Sequence, residues 1–157
     1  MSRKRARTMV SRRPIDKQLL YITHSVTNSQ VSTDLLSSTS ACTATGLRWD
    51  LDVRALTSTA NNRMVWAIIY SPDGSTDDQL ELTTDGNSFY QPEQNVLAFG
   101  VFTGSTDSQG QDDRIHFTGS TKTMRKLKKG DAIKFISHGF ATGFGNLNGV
   151  IQIFCKE

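Results

Sequence analysis

Leu47 to Arg54 reads LRWDLDVR, and in it Leu47, Trp49, Leu51 and Val53 alternate strictly with Arg48, Asp50, Asp52 and Arg54. A period of two is the spacing of a β-strand with one buried and one exposed face. The exposed face carries both signs of charge. It can therefore offer opposite-sign partners to a neighbouring strand or subunit, each pair worth about a few tenths of a kcal/mol.

Working outward from this strand, Asn61-Asn62 punctuates a connection into Arg63–Tyr70, where VWAII is almost continuously apolar. A run of that length, bounded by turn residues, reads as a strand covered on both sides, either in a sandwich core or at a subunit contact. Ser71-Pro72-Asp73-Gly74 is a turn, with proline pre-set for the second position and glycine able to take positive φ. Residues 75–94 are acidic and polar, contain a second Asp-Gly at Asp85-Gly86, and read as an elaborated surface loop. Asn95–Phe102 (NVLAFGVF) is the next strand, and Thr103–Asp113 has the composition of an exposed loop. Arg114–Met124 and Asp131–His138 are strands joined through RKLKKG at Arg125–Gly130, with Ile133 and Phe135 on one face. A glycine-rich connection, Gly139–Gly149, leads to a terminal strand at Val150–Cys155.

Towards the amino terminus, the Ser- and Thr-rich stretch Thr27–Thr45 reads as a long loop in which Val31, Leu35 and Leu36 anchor a short turn of helix. Lys17–Val26 (KQLLYITHSV) reads as a strand. That makes seven strands, with an eighth expected near Gln79–Leu82 or Phe140–Phe144. No stretch sustains a helical period. The expected fold is all-β: a single jelly-roll sandwich of about eight antiparallel strands in two sheets. An immunoglobulin-like sandwich is disfavoured because its Cys…Trp…Cys spacing is missing. Trp49, Trp66, Phe99 and Phe135 are the expected core aromatics.

Charge divides the 157 residues into an arm, residues 1–17, and a β-domain, residues 18–157. Arg3, Lys4, Arg5, Arg7, Arg12, Arg13 and Lys17 stand against Asp16 alone, so the arm is +6 while the whole chain is +3. The remainder is therefore −3. So dense a cationic segment repels itself and has few apolar side chains to offset chain entropy, so it is expected to order only on a polyanion. Nucleic acid is the commonest one, bound by counterion release. The competing readings are a nuclear localisation signal, a solvated tail and a membrane-surface segment. Met9, Val10 and Ile15 are too few for an apolar face on a membrane. A cleaved leader is not expected either, because no apolar core follows the charges, and no apolar run approaches the length of a membrane span. A second basic cluster, Arg125, Lys126, Lys128 and Lys129, reads as a further phosphate contact, a contact with an acidic surface, or a solvated turn. On alternation Lys122 joins it only if its strand bulges or twists.

Catalytic signatures are missing from the sequence. His24, His116 and His138 fall on three different strands without ligand or relay spacing, and lone histidines in strands are usually core or interface residues. GxSxG, HExxH and a phosphate-cradling glycine loop do not occur. Asp73, Asp77 and Asp78 could supply hard oxygen ligands to calcium, but an acidic Asp-Gly turn is the better reading. Asp112-Asp113 is treated alike. Cys42 and Cys155 lack ligand spacing and are expected to be thiols, with a single disulfide the alternative. The expectation is of no catalytic residue, no metal and no cofactor: a protein that is not an enzyme.

The Arg-rich start, MVWAIIY at Met64–Tyr70, YQPEQNVLAFG at Tyr90–Gly100 and TKTMRKLKKGDAIKF at Thr121–Phe135 together resemble the capsid proteins of circovirus-like, circular single-stranded DNA viruses that encode a replication initiator. The resemblance implies a jelly-roll shell domain and self-assembly of about sixty copies into a T=1 icosahedral shell. It also implies an arm, carried by Arg3, Lys4, Arg5, Arg7, Arg12 and Arg13, that packages the single-stranded DNA genome and doubles as a nuclear localisation signal. The implied locations are the virion and, during assembly, the host nucleus. A host import receptor and a cell-attachment receptor are admitted as partners; a membrane is not. Phe89, Tyr90, Phe140 and Phe144 then become candidates for subunit contacts. Two other functions compete with this one. A monomeric single-stranded nucleic-acid-binding β-barrel would need stacking aromatics on an exposed strand face. A carbohydrate-binding or cupin-like sandwich would need convergent aromatics or a histidine-rich metal site.

Overall fold

A computed structural model describes residues 16–27, 29–55, 62–74, 95–104, 114–139 and 144–156. Eight strands run β1 (Asp16–His24), β2 (Val31–Ser37), β3 (Cys42–Ala55), β4 (Asn62–Ser71), β5 (Val96–Gly104), β6 (Arg114–Leu127), β7 (Ala132–Gly139) and β8 (Phe144–Lys156). They form two four-stranded sheets, ordered β1-β8-β3-β6 and β2-β7-β4-β5, with every pairing antiparallel. Among chain-consecutive strands, β4 and β5 pair within one sheet, and the others cross between sheets. This is the jelly roll expected from the sequence.

The core lies between the sheets. Leu47, Leu51 and Val53 of β3, and Leu147, Ile151 and Ile153 of β8, meet Met64, Trp66 and Ile68 of β4 and Ile133 and Phe135 of β7. Trp49 and Trp66 meet edge to face across the gap at 5.4 Å, and Trp66 stacks on Phe135 at 5.9 Å. Each tryptophan also lies over a glycine at the register position opposite it, Trp49 over Gly119 and Trp66 over Gly100. A side chain at either glycine would enter the space of the indole. The continuous run in β4 is covered on both sides as expected, because Val65, Ala67 and Ile69 form a second buried cluster with Ile136 on the outer face.

Four expectations need correction. Thr27–Thr45 is not one long loop with a helical turn: it contains β2 and the start of β3. β2 is an edge strand bulged between Asp34 and Leu36. Of its side chains only Leu35 is fully buried, so no alternation shows in the sequence. The eighth strand is therefore here; residues 79–82 and 140–143 lie outside the described residues. The connection 139–149 is shorter than expected, since β8 begins at Phe144 and Leu147 is fully buried. Gly149, at φ 154°, lets β8 approach β3 where a Cβ would strike the Asp50 carbonyl. Finally, Phe99 is 57% exposed. Gly100 must lie inward beneath Trp66, and alternation then turns Phe99 outward.

The turn at Ser71–Gly74 forms as read, with Gly74 at φ 74°. Cys42 and Cys155 are thiols. No helix among the described residues is long and apolar enough to cross a membrane.

Candidate nucleic-acid interface

Strand register lays the outer face of the first sheet out in rows. At the end where β1 begins, Lys156, Thr43 and Lys126 stand side by side. The next row is Lys17, Phe154, Gly46 and Lys122. Then follow Leu19, Gln152, Arg48 and Ser120, and after them Tyr21, Val150, Asp50 and Thr118. Then come Thr23, Asn148, Asp52 and His116, and beyond them Arg54 stands opposite Arg114.

Lys17, Arg48, Lys122, Lys126 and Lys156 are all exposed, and they occupy the first three rows. Among the described side chains of those rows there is no carboxylate. Carboxylates begin one row further on, where Asp50 takes a 2.6 Å hydrogen bond from His116, and that bond raises the His116 pKa. The sheet face is thus cationic at the end where the arm joins it and of mixed sign at the other.

Two shallow hollows open on this face and share Arg48. One, of about 510 Å³, lies between Arg48, Ser120, Lys122 and Phe154. The other, of about 300 Å³, lies between Leu19, Tyr21, Arg48, Val150 and Gln152. β3 shifts register between Ala44 and Gly46 against both of its neighbours. The Thr45 hydroxyl donates to the Phe154 carbonyl at 3.1 Å within this irregularity. The shift keeps Gly46, which has no side chain, between Lys122 and Phe154.

Of the residues singled out in the sequence, Arg3, Lys4, Arg5, Arg7, Arg12 and Arg13 lie outside the described residues. Lys17 is on β1 at the edge of the cationic rows. The second cluster divides. Lys126 joins the rows, and so does Lys122, because from His116 to Lys126 the even-numbered residues of β6 all face outward. Arg125 turns the other way: its guanidinium stacks on the Tyr70 ring at 3.7 Å and donates to Asn95 at 3.2 Å. Lys128 and Lys129 are exposed at the β6–β7 turn. That turn is held by the buried Asp131 carboxylate, which accepts from the Lys128 and Asp73 backbone N–H groups and from the Tyr70 hydroxyl. Burial alone would raise the Asp131 pKa, but these donors hold it below the usual range. Arg48 and Lys156 were missed. The alternation of LRWDLDVR placed Arg48 on the exposed face; what was lacking was the register that sets it beside Lys122.

Neither family models nor curated proteins match the chain. Among solved structures it is similar to the dimeric latent PorU of Porphyromonas gingivalis at 12% identity and a TM-score of 0.46, over 91% of this chain. The chain spans 13% of the length of that protein, and a likeness this slight carries no argument about function.

The three histidines do not converge. His24, however, meets a serine that sequence spacing could not reveal: its ring nitrogens share 2.7 Å hydrogen bonds with Thr33 and Ser137. The pair is sealed, with His24 1% and Ser137 0% exposed, and burial lowers the His24 pKa to about 4. Its geometry serves to tie β1 of one sheet to β2 and β7 of the other. Among the described residues no group of His, Cys, Asp or Glu is arranged to hold a metal. Asp77 and Asp78 lie outside them.

Proposed function

We propose that this chain is a coat protein of the circovirus-like kind, which binds single-stranded DNA through its arm and through the adjoining rows of the first sheet. The observation that carries the proposal is continuity of charge. The +6 arm enters at Lys17, the corner of a sheet face whose nearest three rows hold Arg48, Lys122, Lys126 and Lys156 without a described carboxylate. A jelly roll alone does not imply a shell, but the fold is one of those that build them. In a shell of about sixty copies the arms would bring about 360 positive charges, and four further cations per copy on the sheet raise the total to about 600. Charge on that scale suits a genome of hundreds to thousands of phosphates.

A monomeric single-strand binder is the second reading, favoured by one feature: Tyr21 is 81% exposed on the same face. Sizing chromatography and negative-stain microscopy of the purified full chain, with and without nuclease and high salt, separate the two. Closed particles of uniform size that hold nucleic acid are expected. A monomer at every salt concentration refutes the coat-protein reading.

A further inference from the structure

Tyr21 is the most exposed large hydrophobic side chain described, at 81%. It stands in the row next to Arg48 and Gln152, on the wall of the 300 Å³ hollow. An aromatic ring left in water on a strand face, with an apolar neighbour in Leu19 (46% exposed), offers favourable free energy of burial to whatever covers it. The surroundings restrict what that cover can be. In the next row lie the amide of Gln152 and the guanidinium of Arg48, and a row beyond them Lys17 and Lys122; in the row of Tyr21 itself lies the carboxylate of Asp50. A purely apolar partner would strip water from the Arg48 guanidinium and the Gln152 amide without replacing its hydrogen bonds. A planar heteroaromatic ring carrying its own donors and acceptors, tethered to an anion, satisfies all of them. The hollow is at the lower end of ligand-site volumes, which run from about 300 to 1,000 Å³.

We propose that Tyr21 is a base-stacking platform. One base of a bound single strand lies on its ring, with Gln152 and Asp50 towards the base edge, while its backbone passes to Arg48 and, further along the strand, to Lys122. Stacking of this kind is tolerant of sequence, because every base offers a π-face. The inference rests on the proposed nucleic-acid-binding function and adds to it a contact that reads bases rather than phosphates.

Fluorescence anisotropy on the full chain tests it, using labelled oligothymidine and an abasic oligomer of the same length, with wild type, Tyr21→Ala and Tyr21→Phe. For oligothymidine, Tyr21→Ala is expected to weaken binding about 5- to 150-fold, the loss of one base–aromatic stack, and Tyr21→Phe to bind as wild type. On the abasic strand, Tyr21→Ala and wild type should bind equally, and the salt dependence of the two should be the same because no phosphate contact has been removed. Equal binding of Tyr21→Ala and wild type to oligothymidine overturns the stacking site while leaving the arm's role standing. So does an equal loss on both strands, and so does a failure of particle assembly with oligonucleotide binding unchanged, which would make Tyr21 a contact between copies. No binding of either strand by wild type overturns the nucleic-acid reading itself.

Discussion

Lowering the pH from 7 to 5 is expected to remove about 2 kcal/mol of stability through His24 alone. Burial holds this imidazole neutral, with its pKa lowered from 6.5 to about 4. The cause is loss of water without a compensating anion. His24 faces Thr33, Ser137 and the edge of Phe135, while Asp34 and Lys134, which pair at 3.6 Å, lie on the opposite face of the second sheet. Because the folded pKa is depressed, the unfolded chain binds a proton first as the pH falls. The stability is then complete above 6.5, erodes below it, and is gone below about 4. The gap is worth about 3.4 kcal/mol at 1.36 kcal/mol per pH unit, of which about 2 is lost by pH 5. His116 acts in the opposite sense: its pKa is raised, so its contribution is complete on the acid side and lost as the pH rises. Urea unfolding of wild type and His24→Gln at pH 7, 6 and 5, followed by tryptophan fluorescence, isolates His24, since His116 and every carboxylate are common to both. The variant should start less stable at pH 7, and its loss between pH 7 and 5 should be smaller by about 2 kcal/mol. Equal losses in the two proteins would refute the reasoning.

The tryptophan–glycine pairs make Gly100→Ala and Gly119→Ala costly although each adds only a methyl group. A Cβ at Gly100 would stand 2.6 Å from the Trp66 ring, and overpacking of this order costs about 1–3 kcal/mol. Thermal unfolding should show both variants destabilised, with altered near-ultraviolet dichroism from the tryptophans. Asp131→Ala leaves the Tyr70 hydroxyl and the N–H groups of Lys128 and Asp73 without their acceptor, at a cost of about 3 kcal/mol; a midpoint in denaturant like that of wild type would show that water replaces the carboxylate.

The strands legible in the sequence were those whose two faces differ, or whose two faces are both buried. β3 shows the first case in LRWDLDVR and β4 the second in MVWAIIY. β2 was illegible because it is a bulged edge strand, needs one apolar face, and buries only Leu35 completely. Phe99 was misplaced because aromatic character suggested the core, whereas parity is decided by Gly100, the residue that must lie under Trp66. The site was legible as charge but not as position. Lys126 and Arg125 are neighbours in a basic run, yet alternation sends one to the cationic rows and the other onto Tyr70. Arg48 and Lys156 acquire meaning only from the register that brings β3, β6 and β8 together. No local pattern in the sequence encodes that pairing of distant segments.

The order of the rows also bears on how a strand of nucleic acid would lie. From Lys17 to Arg48 the exposed charge is positive, so phosphates gain at each step. At the row of Tyr21 they meet Asp50, and Asp52 stands beyond it on the same strand. A phosphate is repelled there, while a base, which carries no charge, is not. Screening over about 10 Å at 0.1 M salt confines both effects to neighbouring rows. The boundary between the cationic and mixed rows would therefore hold the backbone on one side and turn bases towards the other. Tyr21 stands one row past Arg48, where the first turned base would come to rest. For a bound strand, charge and aromatic surface would thus favour the same orientation from separate causes. Arg48, which borders both hollows, is the residue on which they meet.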